Sequence, residues 1–181
     1  MKRVHALVFA CALAVAGSTA ALALRASASP RGLPPPPPQV LTGVRAPDVQ
    51  LEGKGGRVSL QSEIQGSPSV VVLFRGSWCP YCRKELGRLA QALEQHPSTS
   101  VKVIGISSEP SEELAAFQQK VALPFELLSD HEDRTAAICH FAMHCVLLYD
   151  AHGVLRWAGY AESWHAPVDY GAVLRAAGEL R

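Results

Sequence analysis

A chain of 181 residues whose first 39 read as an export segment and a linker leaves room for one domain of ordinary size with a single core. Seventeen Lys and Arg stand against sixteen Asp and Glu, and no basic cluster stands out, which excludes the electrostatic footprint of a nucleic-acid binder. Of five cysteines, Cys11 lies in the apolar N-terminal segment, leaving Cys79, Cys82, Cys139 and Cys145 for the folded part, an even number that suits an oxidising compartment.

In chain order, the basic stub Met1-Lys2-Arg3-Val4-His5 precedes an apolar, alanine-rich run from Ala6 to Leu24. Residues 1–28 thus read as a signal peptide, with small residues at cleavage spacing in Ala21-Leu22-Ala23 and Ala26-Ser27-Ala28. If uncleaved, the same run of about 19 residues is just long enough to anchor the protein in a bilayer. Residues 29–39 carry five consecutive prolines, Pro34 to Pro38, which impose an extended polyproline conformation and read as a spacer. The domain then covers 40–181. It opens with a hairpin, from Gly43 to Leu51 and from Arg57 to Leu60, around the turn at Lys54-Gly55-Gly56.

The apolar run Val70-Val71-Val72-Leu73-Phe74 is short and β-branched, as a strand buried on both faces requires. After it, Leu86, Leu89, Ala90 and Leu93 share one face of a helix that His96-Pro97 ends. Cys79-Pro80-Tyr81-Cys82 stands at the junction, where free backbone N–H groups and the helix dipole favour a thiolate. Cys79, as the first of the pair, is the expected exposed nucleophile, and Cys82, one turn inside, is placed to resolve a mixed disulfide. Pro80 suits the first helical position. A bare C-x-x-C is also half of a zinc site, but the strand and helix context points to redox chemistry. Trp78 reads either as a packed aromatic or as a wall beside the thiol. Arg75 and Arg83 read either as charges that favour the thiolate or as solvated surface.

Val101 to Ile106 is the next strand, and Pro110, Glu112 and Glu113 open a helix with Leu114 and Phe117 on one face. Strand, helix, strand, helix implies a parallel βαβ unit. Phe125 to Leu128 leads into Ser129-Asp130, and Thr135 to Phe141 reads as a short helix. Val146 to Tyr149 and Val154 to Trp157 flank the turn Asp150-Ala151-His152-Gly153 as an antiparallel hairpin, and Val168 to Leu180 is a closing helix.

Trp78-Cys79-Pro80-Tyr81-Cys82 between a buried strand and a helix resembles the thioredoxin superfamily. Ala46-Pro47-Asp48, Val58-Ser59-Leu60, Leu128-Ser129-Asp130 and Tyr149-Asp150 with Gly153 are similar to the redoxin branch, which holds the alkyl hydroperoxide reductase/thiol-specific antioxidant peroxiredoxins and the exported TlpA-like oxidoreductases. An Arg-Gly-x-Trp-Cys-Pro-Tyr-Cys signature of peroxiredoxin-like bacterial proteins is matched from Arg75 to Cys82. The resemblance implies an α/β, thioredoxin-like fold: a central mixed β-sheet flanked by helices, with an N-terminal hairpin extension.

It also implies a thiol–disulfide oxidoreductase that needs no cofactor and no metal and works with a redox partner protein and a thiol or disulfide client; the N-terminal export segment is what points to the periplasm or another extracytoplasmic compartment, with membrane anchorage if it is retained. In the superfamily a cis-proline faces the dithiol; here that place holds His144, for which a trans peptide is expected. Cys145 follows it, so Cys145, or else Cys139, is a candidate third redox thiol, against a reading of both as small buried hydrophobes or a structural pair. A peroxidase is the first alternative, with peroxide as substrate, although on the P-x-x-x-T-x-x-C peroxiredoxin pattern Arg75 replaces the proline and Cys79 the threonine. The second alternative is a copper or zinc chaperone of the Sco type, using Cys79, Cys82 and a histidine such as His140 or His144, although Sco cysteines are three residues apart.

Overall fold

The computed structural model describes residues 29–37, 40–97, 100–135, 138, 144–160 and 167–180. The β-branched run becomes β3 (Ser69–Phe74), all six residues of which are buried. Its side chains alternate between two cores. Val70, Val72 and Phe74 join one, and Val71 and Leu73 the other, as a strand with both faces covered must do.

Around β3 lies a seven-stranded mixed sheet in the order β2-β1-β5-β4-β3-β6-β7. β1 (Gln50–Gly53) and β2 (Gly56–Ser59) form the expected hairpin at one edge. β4 (Lys102–Ser107) and β5 (Glu126–Ser129) run parallel in succession beside β3. β6 (His144–Tyr149) pairs antiparallel with β3, and β7 (Leu155–Tyr160) closes the other edge. The crossovers are α2 (Pro80–Gln95), between β3 and β4, and α3 (Ser111–Val121), between β4 and β5. Both lay their apolar stripes on the Val70/Val72 core, where α4 (Tyr170–Glu179) joins them through Val173, Leu174 and Ala177. Three parallel strands therefore end at one edge of the sheet, and the dithiol lies there.

Two features depart from the sequence reading. α1 (Leu60–Ile64) is a five-residue helix that drops Leu60 and Ile64, one turn apart, into the second core. Such a turn is too short to show periodicity. The proline stretch is also more than a spacer: the Trp157 indole N–H donates to the Pro34 carbonyl across 2.7 Å, and Leu33 packs on the first core. The short helix expected from Thr135 to Phe141 falls outside the described residues apart from Thr135 and Ile138. Residues 1–28 also lie outside them. Among the described residues, no helix is long and apolar enough to cross a membrane.

The β6–β7 turn is held by Asp150. Its Oδ1 accepts the N–H groups of His152 and Val154, and its Oδ2 accepts from Arg156 at 2.7 Å, while Gly153 takes the positive φ of 72° that the turn needs. Burial alone would raise this carboxyl, but the two amides and the guanidinium outweigh it and hold it below the ordinary carboxylate value. A depressed carboxyl stabilises the fold above its unfolded value, about 4, and that contribution is lost as pH falls through the lower folded value. Asp150→Ala is expected to cost about 2–3 kcal/mol at neutral pH. Urea titrations of wild type and variant should converge at strongly acid pH.

Candidate active site

Cys79 is the N-cap of α2 in extended backbone, and its Sγ accepts the backbone N–H of Cys82 at 3.4 Å. Pro80 occupies the first helical position, where no amide is needed. Both cysteines are free thiols. Cys82 is fully buried and Cys79 5% exposed, so the opening to the nucleophile is narrower than the sequence suggests. Burial, then hydrogen bonding to Cys79, pushes the Cys82 thiol up to about 12, against the backbone amides of Arg75 and Gly76, which act in the opposite direction. The helix N-terminus thus does not make Cys82 acidic; desolvation wins there.

Trp78 is 58% exposed, and the Arg75 guanidinium lies 4.7 Å above its ring. Arg83 lies at 5.9 Å over Phe117. The glycine between Arg75 and Ser77 leaves room for both neighbours: a Cβ on Gly76 would come within 2.3 Å of the Trp78 indole nitrogen and 3.0 Å of the Glu109 carboxyl, so a larger residue there must displace the Trp78 ring. Glu109, which follows β4, takes both the N–H and the hydroxyl of Ser77. Ser107 Oγ donates to the Arg75 carbonyl, and Ser129 Oγ to the Glu109 carbonyl, so the ends of three strands fasten the loop that carries Trp78 and Cys79. Glu109→Ala, which strands both Ser77 donors, is expected to cost about 1–3 kcal/mol and to speed hydrogen exchange at the Ser77 amide. Glu109→Gln keeps an acceptor oxygen and should cost less on the same urea and exchange measurements.

His144 opens β6 opposite Phe74 and is fully buried on the dithiol face. Its Nε2 is 2.7 Å from the Tyr170 hydroxyl, and its ring meets those of Tyr81 and Tyr170 edge-on. Burial lowers its pKa to about 4, so it is neutral at physiological pH. Among the described residues no peptide is cis, and the bond that joins His144 to the residue before it lies outside them. Tyr81, also buried, has its hydroxyl raised by burial and by the charge of Glu85.

Cys145 goes elsewhere. It is the next residue on β6, so its side chain enters the opposite core with Leu73 and Leu147, and it is disulfide-bonded. The alternation of a strand, not distance along the chain, separates it from Cys79 and Cys82. Cys139 and His140 lie outside the described residues. Among the described residues, no group of three or more His, Cys, Asp or Glu side chains could hold a metal, so Cys79, Cys82 and His144 do not form such a set.

The AhpC/TSA family model matches residues 42–158, which include the hairpin, the dithiol loop and both central crossovers. The chain belongs to the AhpC/TSA family. A chloroplastic peroxiredoxin Q from Sedum lineare is 32% identical over 96 residues, 53% of this chain and 52% of that one. The chain spans about half the length of the peroxiredoxin Q relatives it matches. Among solved structures, peroxidoxin BcpB from Mycobacterium tuberculosis superposes with a TM-score of 0.65 at 18% identity, covering 78% of this chain and 99% of that one. A protein described as the thiol:disulfide interchange protein DsbE, from Chlorobium tepidum, gives 0.62 at 22% identity, covering 76% and 95%. This AhpC/TSA chain therefore has the thioredoxin-like fold of the redoxin branch.

Glu85, Tyr170 and Glu109 escaped the sequence reading. Glu85 left a signal, since it interrupts the buried stripe of Cys82, Leu86 and Leu89 with a carboxylate. Glu109 and Tyr170 left none, because their partners lie 32 and 26 residues away.

Proposed function

We propose that this chain is an extracytoplasmic thiol–disulfide oxidoreductase cycling Cys79 and Cys82 between dithiol and disulfide. The observation that carries the reading is two free thiols at the cap and in the first turn of one helix, of which Cys79 is the more open. Cys79 attacks a disulfide of the client, one client sulfur leaves as thiolate, and Cys82 attacks the Cys79 sulfur and releases the other. The exposed Trp78 face beside Cys79 offers the client an apolar platform. Electrons pass through sulfur alone, and a redox partner protein resets the pair. Export rests on the composition of residues 1–28.

A peroxidase is the second reading, favoured by family membership and by the two backbone amides that act on the Cys82 sulfur. In that reaction a thiolate takes the distal oxygen of a peroxide, becomes a sulfenic acid and releases an alcohol or water. Equilibration in glutathione buffers, followed by thiol trapping and mass spectrometry, separates the readings. A reversible Cys79–Cys82 bond with a single midpoint supports the oxidoreductase. Absence of that bond at every poise, with sulfenic acid formed by peroxide, overturns it.

A further inference from the structure

On the outer side of the dithiol helix, α2 and α3 leave a groove of about 490 Å³ between them. Arg83, Gly87 and Glu94 are exposed, recur at the spacing of one helical face and form its α2 wall, with Lys84 beside Arg83. Phe117 and Val121, one turn apart on α3, form the other wall. Val121 is 39% exposed, one of four large apolar side chains left open among the described residues. Another of the four, Trp78, stands next to Cys79, so the open apolar surface and the groove both begin near the dithiol.

Gly87 lies in the interior of the 16-residue α2. A glycine there costs about 1 kcal/mol relative to alanine. A Cβ at Gly87 would meet no atom within 4 Å, so the packing of the described residues does not require the gap. What the gap accommodates comes from outside the domain. The charges along the groove point the same way. The Arg83 guanidinium rests 5.9 Å over the Phe117 ring, and none of Arg83, Lys84 and Glu94 forms an ion pair among the described residues. The groove is therefore positive at the end next to the dithiol and negative at the far end, a polarity that selects a partner by charge and by direction.

We propose that the α2–α3 groove docks an extended segment of the client protein beside its reactive cysteine, acidic near that cysteine and basic at the far end. The proposal rests on the oxidoreductase reading and names the client by its charge pattern. The spacing follows from the two repeats. From Cys79, Arg83 is about 6 Å along α2, Gly87 about 12 Å and Glu94 about 22 Å, at about 1.5 Å per helical residue. An extended chain advances about 3.3 Å per residue, so the client carries a carboxylate about two residues from its cysteine, a large apolar side chain over Gly87 at about four, and a Lys or Arg at about six to seven.

The probes are two peptides, each with a central cysteine held as its mixed disulfide with 5-thio-2-nitrobenzoate. One carries the pattern on both sides of the cysteine, and the other has its Glu and Lys exchanged. Stopped flow with the reduced protein reads release of the coloured thiolate, and mass spectrometry reads the free peptide and the Cys79–Cys82 bond. Wild type should react about tenfold faster with the patterned peptide at low salt, and the preference should fall below about twofold in about 0.5 M salt. Lys84→Glu should remove or invert the preference. Gly87→Gln fills the gap with a better helix former, so it should raise the urea midpoint while cutting the preference below about threefold. Equal rates in wild type, or a full preference surviving either variant, overturn the proposal and leave the oxidoreductase reading standing, because the Cys79–Cys82 bond still forms. If that bond forms with neither peptide, the oxidoreductase reading fails and the proposal with it. A wild type that sediments as a dimer and becomes monomeric on Gly87→Gln puts a second copy in the groove and overturns it as well.

Discussion

Cys79→Ser should abolish disulfide exchange, a loss of at least about 10³-fold, while leaving the fold as stable as before or slightly more so. The loss follows because the attacking sulfur is removed and a serine hydroxyl is a weak nucleophile without an adjacent base. The unchanged stability follows from the cap. Cys79 Sγ accepts the Cys82 N–H at 3.4 Å, and a serine oxygen at the same N-cap accepts that amide more strongly. Cys82→Ser should behave differently: Cys79 still attacks, nothing resolves, and a persistent mixed disulfide with the client accumulates. That variant also places a hydroxyl in a fully buried site, at a cost of about 1–3 kcal/mol. Client-reduction assays, intact-protein mass spectrometry of trapped adducts and urea titration together check the pair. Exchange surviving in Cys79→Ser would remove Cys79 from the mechanism.

Leu147→Ala should be the most destabilising single change away from the site, at about 2–5 kcal/mol of a total of order 5–15. Leu147 is fully buried on β6, paired with Val71 of β3 on one side and Ala158 of β7 on the other, and it fills the core opposite the dithiol. Its removal leaves a cavity between strands already fixed by their ladders, so little relaxation follows. The urea midpoint should fall with the slope unchanged. The Cys79–Cys82 reduction potential should not move, because the lost side chain points away from it. Leu147→Met, which conserves volume, should cost less than about 1.5 kcal/mol.

The elements easiest to read were those with a strong local pattern. The run before the dithiol could only be a doubly covered strand, and the stripe from Leu86 to Leu93 only a helix ended by Pro97, which the structure ends at Gln95. The hairpin around Gly55-Gly56 and the turn at Asp150 to Gly153 carried their own turn chemistry. Resemblance supplied a mixed sheet flanked by helices, while the strand order, which no local pattern encodes, came only with the structure. The proline tract misled in part, since sequence dictates its extended backbone but cannot announce that Trp157, more than a hundred residues on, donates to Pro34. The polar ties around the site were the least legible: the Glu109 and Ser77 clamp and the Tyr170 and His144 contact exist only once distant strand ends have met.

β6 presents His144 to one face of the sheet and Cys145 to the other. Exchange between sulfurs demands that attacking, central and leaving atoms fall in line within bonding reach, and a layer of paired backbone lies between these two sulfur centres. The sheet therefore acts as an insulator between two electron accounts in one small domain. On the proposed oxidoreductase reading the Cys79–Cys82 couple and the bond at Cys145 are two separate pools, and thiol trapping before and after turnover should show a change in the first alone.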